Sequence, residues 1–443
     1  MLTAEIIFSY VWQHFVSVYP EAKGLPVNYG ANGNGKVSIE NNGLAFLAQT
    51  KPFPENIYWR VWEGKKLPFL FPIGDDVLIS ETARQVHIHA DVIAGAFYFL
   101  SGWQEYFSKA RDKFNRFPYR ESLQKKHNFV TLPVVNNYFE ILKTALEKAY
   151  QITLKNPAWG NHAFITFLSH DIDRLESAWK VEGLKQLKKG NLTNFLKLGF
   201  GKISGRDHWH NLEKVSETVQ KFGAVSTFFW LPQKGKFKTH PNADYDLTKP
   251  LYQEKLKQLA ASGFENGVHG SFGSSGNAAQ LKSEKEKISA DVTGNRFHYL
   301  CYDPKLTPQV LAGSGLSYDC SLGFAEHFGF RNGYCFPFRP FDFSGLKPYP
   351  FLELPLNLMD ATLWHPNYLK LKPEEILPAI KPMLSEIKKF GGCFGLLWHN
   401  ENFSELNTHN GLAAFEEIMR ELQRLNSGFK TGAEIATIFQ DRI

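Results

Sequence analysis

Acidic and histidine side chains occur at four separate points in the second half of the sequence, each directly after an apolar run. The first run, FITFL, is followed by Ser-His-Asp-Ile-Asp, which carries Asp171 and Asp173. In an extended chain, side chains two positions apart lie on one face, so these carboxylates emerge together and His170 points the other way. Adjacent carboxylates raise each other's pKa unless a cation lies between them. The pair therefore indicates either a metal ligand beside a base or, alternatively, a helix cap beside an ion pair.

Three further polar clusters follow later apolar runs. ENGVHGS carries His269, NRFHY carries Arg296 and His298, and LLWHNE carries His399 and Glu401. If these runs are parallel strands, their carboxyl ends meet at one edge, and the polar side chains converge there. A single histidine in such a place is more often a hydrogen-bonded structural residue. Four clusters in the same relation to their strands favour one shared catalytic site.

The elements that must position these clusters alternate between strand and helix. After residue 160, about seven apolar strand candidates alternate with helical segments such as 250–262 and 373–389. Several of these helical segments end in glycine, the usual stop signal of a helix. The alternation predicts an α/β domain over residues 156–443, either a barrel or a doubly wound parallel sheet.

The first part of the chain has a different pattern. Residues 57–72 predict a hairpin, and residues 87–112 and 136–150 predict helices. No cluster of acids and histidines stands out before the change of pattern near residue 155. We therefore predict a small α+β accessory domain over residues 1–155.

The composition excludes several other classes of protein. The formal net charge is +6 over 443 residues, and no basic motif interleaved with aromatic residues occurs, so no nucleic-acid partner is predicted. The four cysteines have no Cys-x-x-Cys spacing, which indicates buried thiols in a reducing compartment. The N-terminal segment lacks the features of a signal peptide. The apolar stretch 92–103 is too short to span a bilayer, so we expect a cytoplasmic protein.

Residues 180–202 contain six lysines and one glutamate, interleaved with leucine and phenylalanine. Two interpretations stay open for this segment. It is either a solvated insertion after the first strand or an interfacial segment in peripheral contact with the inner face of a membrane.

The order of the motifs SHDID, ENGVHGS, RFHY, SYDCSLG and LLWHN resembles that of the polysaccharide deacetylases, a carbohydrate esterase family. The resemblance covers residues 160 to about 440. Residues 1–150 are similar, more loosely, to an N-terminal accessory region found in one bacterial branch. The resemblance implies a distorted, incomplete (β/α)7 barrel. It also implies metal-dependent removal of acetyl groups from N-acetylated sugars, with a carbohydrate as substrate.

The resemblance assigns a role to each matching residue. Asp171 corresponds to the general base and Arg296 to the arginine that orients it. Asp173 and His269 correspond to ligands of zinc or another divalent metal. His399 corresponds to the general acid.

Two positions depart from the family pattern. The family has a second histidine four residues after the first, where this chain has Gly273, and a proline where this chain has His298. Either His298 replaces the missing ligand at a zinc site with three protein ligands, or the site binds metal weakly or not at all. In the second case the protein is a catalytically impaired glycan-binding or scaffolding protein on the same fold.

Other polar residues predict substrate contacts. Asp319 and Arg331 are candidates for binding the sugar, with a buried Asp–Arg pair that holds loops as the alternative. Trp398 is a candidate wall for the acetyl methyl group, with a core position as the alternative. Glu353 and Asp360 lie near a predicted strand end and are weaker candidates for lining the site.

Overall fold

The computed structural model describes residues 2–30, 33–289 and 291–443. Before residue 155 it contains six helices and six strands in these described ranges. They are α1 (Ala4–Val18), β1 (Val27–Tyr29), β2 (Val37–Ile39), α2 (Leu44–Leu47), β3 (Tyr58–Trp62), β4 (Lys65–Phe69), β5 (Ile79–Glu81), β6 (Val86–Ile88), α3 (Val92–Leu100), α4 (Trp103–Phe107), α5 (Leu123–Lys126) and α6 (Val134–Tyr150).

These elements form a mixed sheet covered by helices. The sheet has the order β1-β2-β6-β5, in which only β5 runs antiparallel to its neighbour. Strands β3 and β4 form the hairpin predicted over 57–72, with a tight turn at Glu63 and Gly64, whose φ angles are both positive. The predicted helix 136–150 is confirmed as α6, whereas the predicted helix 87–112 is shorter because β6 takes up its beginning.

The second part of the chain alternates between strands and helices. In chain order its elements are β7 (Phe164–Ile172), α7 (Ala178–Lys188), α8 (Leu192–Ile203), α9 (Leu212–Lys221), β8 (Thr227–Trp230), β9 (Lys236–Phe237), β10 (His240–Pro241), α10 (Pro250–Ala261), β11 (Glu265–Gly270), α11 (Ala278–Glu286), β12 (Gly294–Phe297), α12 (Thr307–Ala312), β13 (Tyr318–Asp319), β14 (Phe341–Asp342), β15 (Lys347–Pro348), β16 (Leu352–Glu353), β17 (Leu358–Met359), α13 (Asp360–Trp364), α14 (Pro373–Phe390), β18 (Cys393–Leu397), α15 (Gly411–Arg424), β19 (Ser427–Lys430) and α16 (Gly432–Gln440).

One parallel sheet dominates this part. Its strands follow the order β16-β13-β12-β11-β8-β7-β18-β17, and every pairing along this path is parallel. Strand β19 pairs with the first half of β7, on the same side as β8. All nine residues of β7 are buried, as expected for a parallel strand covered on both faces. The α/β prediction is therefore confirmed.

The sheet curls strongly. Arg296 on β12 lies three strands away from Asp171 on β7, a distance of about 14 Å in a flat sheet. In the structure their side chains are hydrogen-bonded at 2.9 Å. The rings of Phe167 on β7 and Tyr318 on β13 are likewise in contact, with centroids 6.2 Å apart. This curl favours the barrel over the doubly wound alternative.

The two ends of the curled sheet are joined by a short connection. Strand β16 ends at Glu353 and β17 begins at Leu358, at opposite ends of the strand path. Between them, the backbone N–H of Leu354 donates to Asp319 O, and that of Asn357 donates to Gly395 O. The result is an incomplete barrel. The path has eight strands instead of the implied seven, and β13, β16 and β17 are each only two residues long.

Both parts of the chain contribute to one continuous hydrophobic core, in which α1, α3 and α6 pack with the strands and helices of the curled sheet. The predicted boundary near residue 155 stays a prediction. All four cysteines are buried and free, as predicted. In the described part of the chain, no helix is both long and apolar enough to cross a bilayer.

Candidate active site

Three side chains from three separate strands of the curled sheet converge at its carboxyl edge. Asp173 Oδ1 lies 3.2 Å from His269 Nε2 and 3.3 Å from His298 Nδ1, and these two nitrogens are 3.2 Å apart. Asp173 follows β7, His269 is on β11, and His298 follows β12. The side chain of Asp173 is 17% exposed, so solvent can reach the cluster.

Backbone carbonyls orient both imidazoles. His269 Nδ1 is 2.7 Å from Arg296 O, and His298 Nε2 is 3.2 Å from Pro241 O. If each of these nitrogens carries the proton, the other ring nitrogen is left with a free lone pair toward Asp173. Metal-binding histidines are oriented in this way, because the donated N–H fixes the tautomer.

The donor set fits a divalent cation. Asp173 Oδ1 is buried and has no hydrogen-bond partner among the described residues. Burial opposes ionisation of Asp173, yet the charges of His298 and His269 beside it hold its pKa well below its usual range. Burial likewise lowers the pKa of His269, but Asp171 and Asp173 outweigh it and raise that pKa. One carboxylate and two imidazoles are a usual ligand set of zinc.

Asp171 lies beside this cluster and is held by Arg296. The guanidinium donates to Asp171 Oδ1 at 2.9 Å, to Ser169 Oγ at 2.8 Å and to Cys320 O at 3.1 Å. Arg296 is fully buried, so its position is fixed by these contacts. Asp171 Oδ2 is 3.6 Å from His269 Nε2. Asp171 thus faces the same space as the three candidate ligands.

His399 faces the cluster from the end of β18. Its Nε2 is 3.8 Å from Asp173 Oδ2, and its Nδ1 is 2.7 Å from Asp360 Oδ1. Burial lowers the pKa of His399, but the charge and hydrogen bond of Asp360 outweigh it, and the pKa rises to about 10. Glu401, the other acid near His399 in the sequence, instead lies 3.5 Å from Arg174.

The backbone around the two departures from the family pattern is unusual. Gly273 has φ of 107° and precedes a short 3-10 turn. It has no side chain that could bind a metal, and a histidine would rarely adopt this backbone conformation. Tyr299 and Leu300, directly after His298, have φ of 59° and 55°. Two consecutive non-glycine residues in the left-handed region are strained, and such strain is concentrated at functional sites. Here it accompanies the turn that places His298 opposite Asp173.

Two predicted substrate contacts lie away from this opening. Arg331 forms a buried, bidentate ion pair with Glu105 of the first part of the chain, at 2.6 and 2.8 Å. Trp398 is fully buried and packs against Trp364 and Phe415. Because successive residues of an extended chain point to opposite faces, Trp398 points away from the face that His399 occupies. Trp398 thus has the core position given as its alternative, whereas Arg331 is in a buried ion pair with Glu105 and not with Asp319.

Asp319 is also enclosed. It accepts hydrogen bonds from Asn295 Nδ2 at 2.5 Å and from the backbone and hydroxyl of Ser321 at 3.0 Å each. Burial raises its pKa, and the neighbouring Glu353 has a pKa raised well above its usual range by burial and by the charge of Asp319. These two acids form a buried pair under the loops. The alternative of an ion pair between Asp319 and Arg331 is not what the structure has, since Arg331 pairs with Glu105.

A second group of candidate metal ligands lies in the first part of the chain, where the sequence showed none. Glu40, His87 and His89 each offer a ligand atom within 4.8 Å of the other two. The signal was the His-Ile-His spacing at the end of β6, which places both rings on one face of the sheet. Glu40 directly follows the neighbouring strand β2, and local spacing does not reveal its proximity to the two histidines.

Comparisons with known proteins cover the two parts of the chain separately. Residues 2–151 match a family of unknown function (DUF7033). No curated protein sequence matches the chain. A solved structure of a candidate polysaccharide deacetylase from Mycobacterium smegmatis is similar with a TM-score of 0.44 and 16% identity, over 65% of this chain and 93% of that one.

Two further solved structures are similar over the same share of this chain. An allantoinase has a TM-score of 0.42 and 13% identity, with 95% of its own chain covered. A candidate polysaccharide deacetylase from Pseudomonas aeruginosa has a TM-score of 0.41 and 14% identity, also with 95% covered. At these scores and identities, the function has to be argued from the site itself.

Proposed function

We propose that this protein is a zinc-dependent hydrolase that removes the acetyl group from an N-acetylated sugar or glycan precursor. The observation that carries the proposal is the grouping of Asp173, His269 and His298, with Asp171 and His399 facing the same space. The candidate metal ligands lie between the carboxylate of Asp171 and the imidazole of His399, whose pKa is raised. This arrangement is suited to hydrolysis of an amide. The choice of an acetylated sugar rests on the order of the motifs.

Asp173, His269 and His298 would hold the metal, and His298 would take the place of the histidine missing at Gly273. A divalent cation in such a site supplies a Lewis acid that polarises the scissile carbonyl and makes water more acidic. Binding requires neutral imidazoles, which the carbonyls of Arg296 and Pro241 favour by accepting from the opposite ring nitrogens.

The chain's own residues move two protons in this reaction. Asp171 accepts a proton from the water that adds to the acetyl carbon, and Arg296 keeps its carboxylate in place. His399 gives a proton to the sugar nitrogen as the C–N bond breaks, because an amine is a poor leaving group without protonation. The contact with Asp360 keeps His399 protonated before the reaction. Acetate and a free amine are the products.

The proposal is tested by metal analysis together with acetate release. The purified protein is expected to bind metal at this cluster and to release acetate from N-acetylhexosamine oligomers. Asp173→Ala and His269→Ala should each lose this metal and the activity. His162→Ala, at an exposed histidine outside the cluster, is the control. If all four proteins hold the same amount of metal, the proposed site is wrong.

Gly273 favours one alternative, a catalytically impaired glycan-binding or scaffolding protein. In that case the protein would bind acetylated oligosaccharides without releasing acetate, even when zinc is added. The His298→Ala variant separates the two functions. Loss of metal in this variant supports the hydrolase, whereas unchanged glycan binding by a metal-free wild-type protein supports the alternative.

A further inference from the structure

The helical hairpin of α7 and α8 exposes an unusual number of large apolar side chains. Seven of the twelve such side chains that are exposed in the described ranges belong to it, at 40% to 86% exposure. They are Trp179, Leu184, Leu187, Leu192, Leu196, Phe200 and Ile203. Soluble surfaces rarely concentrate apolar side chains in this way, and such patches mark sites of interaction.

The other side of the hairpin is already used for packing. Ala178 and Leu198 are buried against Trp209, with Val181 and Leu406 packed at the edge of this small core. The hairpin is therefore packed against the rest of the protein, and its exposed apolar side chains are not left over from a missing contact on this side. They form a second face that nothing in the described structure covers.

The charge of the hairpin indicates the kind of partner. Residues 180–202 contain six lysines. Their one acid, Glu182, is buried and accepts hydrogen bonds from Lys185 Nζ, Gln186 Nε2 and the backbone of Thr408. Apolar side chains flanked by lysines are typical of helices that lie in the interface of an anionic bilayer. A protein surface with the same chemistry would need matching acidic and apolar groups.

The hairpin also lies beside the candidate active site. Gln186 Nε2 donates to Leu406 O at 2.7 Å, in the loop that follows His399. Lys202 Nζ donates to Glu176 O at 3.3 Å, three residues after Asp173. A surface bound by the hairpin is therefore close to the opening where Asp173 and His399 are exposed.

We propose that the α7–α8 hairpin inserts its apolar face into an anionic membrane surface and so presents the active site to a membrane-associated glycan, such as a lipid-linked sugar. The membrane contact stands on the hairpin alone. The substrate class rests, in addition, on the proposed function.

Vesicle flotation tests the contact with the purified full chain. Wild-type protein should float with phosphatidylcholine vesicles that contain phosphatidylglycerol and much less with phosphatidylcholine alone. The double variant Phe200→Ser/Ile203→Ser should bind at least about tenfold more weakly, since each lost side chain removes most of its buried apolar area from the contact. Leu251→Ser/Leu306→Ser, two exposed leucines elsewhere, is the matched control.

Two outcomes would overturn the membrane contact. One is equal flotation of wild type and Phe200→Ser/Ile203→Ser. The other is concentration-dependent self-association of the wild type that this variant abolishes, because it would identify a second copy of the chain as the partner. Acetate release from a soluble oligosaccharide should be the same in both proteins. A membrane-bound but inactive protein would thus refute the proposed function and the substrate class, and the membrane contact would stand.

A second inference concerns Glu40, His87 and His89 on the sheet of the first part of the chain. Glu40 Oε1 is 3.2 Å from His87 Nε2, and the rings of His87 and His89 meet edge to face with centroids 4.5 Å apart. The side chains of Glu40 and His87 are 29% and 31% exposed, so an ion can reach them.

Each imidazole of this group is held by a hydroxyl on a neighbouring strand. Ser38 Oγ lies 2.7 Å from His87 Nδ1, and Ser80 Oγ lies 2.7 Å from His89 Nε2. Each ring thus keeps one nitrogen free of these contacts, which is the arrangement that orients histidine ligands of a metal. An ordinary polar sheet face does not require serine partners on both rings.

The geometry points to a second divalent metal site formed by Glu40, His87 and His89, suited to zinc or a neighbouring transition metal. Titration with zinc, followed by calorimetry and metal analysis, should give two ions per wild-type chain. His87→Ala/His89→Ala should bind one ion and keep its hydrolytic activity, whereas His269→Ala should bind one ion and lose that activity. A wild type that binds one ion, lost only in His269→Ala, would contradict this second site.

Discussion

Asp171 and His399 face the same group of candidate ligands but have opposite partners. Asp171 is bound by the cationic Arg296, and His399 is bound by the anionic Asp360. The guanidinium holds the Asp171 carboxylate in place, and Asp360 raises the pKa of His399 and so keeps its imidazole protonated. These two contacts are the basis of the proposed roles of Asp171 as base and His399 as acid.

The base is tested by Asp171→Asn. Asparagine fills nearly the same volume and can accept from Arg296, but it cannot take a proton from water. We expect turnover to fall below detection while metal content and melting temperature stay close to the wild-type values. Deacetylation assays, metal analysis and calorimetry on one preparation measure the three quantities. A variant with full activity would overturn the mechanism.

The acid is tested by His399→Ala on two kinds of substrate. On an N-acetyl substrate the rate should fall by about 10² to 10⁴, the usual contribution of a general acid. On an O-acetyl ester the loss should be much smaller, because an alkoxide leaves more easily than an unprotonated amine. Equal losses on amide and ester would refute the acid role of His399.

Strand-end position was enough to predict the residues that converge. Asp171, Asp173, His269, Arg296, His298 and His399 lie together because each follows or ends a strand of the same parallel sheet. The contacts of Arg331 could not be predicted, since Glu105 is 226 positions away in the sequence. Asp360 was a weak candidate because only the fold brings it to His399. Local patterns predict which residues face a site and leave their distant partners undetermined.

At the scale of elements, the most restrictive position is Gly395 in the middle of β18. A Cβ atom there would overlap the carbonyl oxygen of Pro355, in the connection that joins the two ends of the curled sheet. Its backbone N–H also donates to Asn357 Oδ1 at 2.9 Å. The close approach of these two segments requires a residue without a side chain.

Gly395→Ala should therefore destabilise the protein by several kcal/mol, on the order of 3 kcal/mol, because backbone has to move to make room. Gly199→Ala is the matched control. Its added methyl group would meet no atom within 4 Å, and alanine favours helix α8, so a small gain of about 0.5 to 1 kcal/mol is expected. Urea unfolding followed by circular dichroism measures both changes. Equal stability of the two variants would contradict the close approach.

The alternation of strands and helices was predictable from the residue pattern, whereas the incomplete barrel was implied only by the order of the motifs. The alternation appears in the sequence because each long strand is an apolar run bounded by glycine or polar residues. Closure depends on β13, β16 and β17, which are two residues long and have no periodicity of their own. Their positions are set by hydrogen bonds of the chain around Leu354 and Asn357 to strands on both sides.

At the scale of the whole molecule, several buried polar contacts join the parts before and after residue 155, and two of them give testable predictions. One is His14 on α1, whose Nε2 accepts from the backbone N–H of Arg339 at 3.1 Å and whose Nδ1 donates to Tyr10 O at 2.7 Å. Burial, aided by the charge of Arg339, lowers the pKa of His14 to about 4. The neutral imidazole is the form that both contacts require.

This contact predicts a loss of stability in acid. The pKa of His14 is about 4 in the folded protein, against 6.5 for an unperturbed histidine side chain. Its contribution is therefore complete above pH 6.5 and is lost as the pH falls toward 4, by up to about 3 kcal/mol. His14→Gln does not titrate, so its unfolding free energy should depend less on pH across this window. Parallel slopes for the two proteins in urea unfolding at several pH values would contradict the assignment.

The other contact is the ion pair of Glu105 and Arg331, which decides between two roles for Arg331. As part of a buried pair between the two parts of the chain, Arg331 is needed for stability, because its loss leaves the carboxylate of Glu105 buried and unpaired. Arg331→Met should thus lower the free energy of unfolding by about 3 to 5 kcal/mol, and the double variant Glu105→Gln/Arg331→Met should recover much of it.

If Arg331 is instead a substrate contact, its replacement would raise KM, and removal of the Glu105 charge would not restore substrate binding. Unfolding curves and KM values for the wild type and the variants Arg331→Met, Glu105→Gln and Glu105→Gln/Arg331→Met separate these roles. Recovery of stability in the double variant with an unchanged KM is expected, whereas a raised KM in a fully stable Arg331→Met would return Arg331 to the active site.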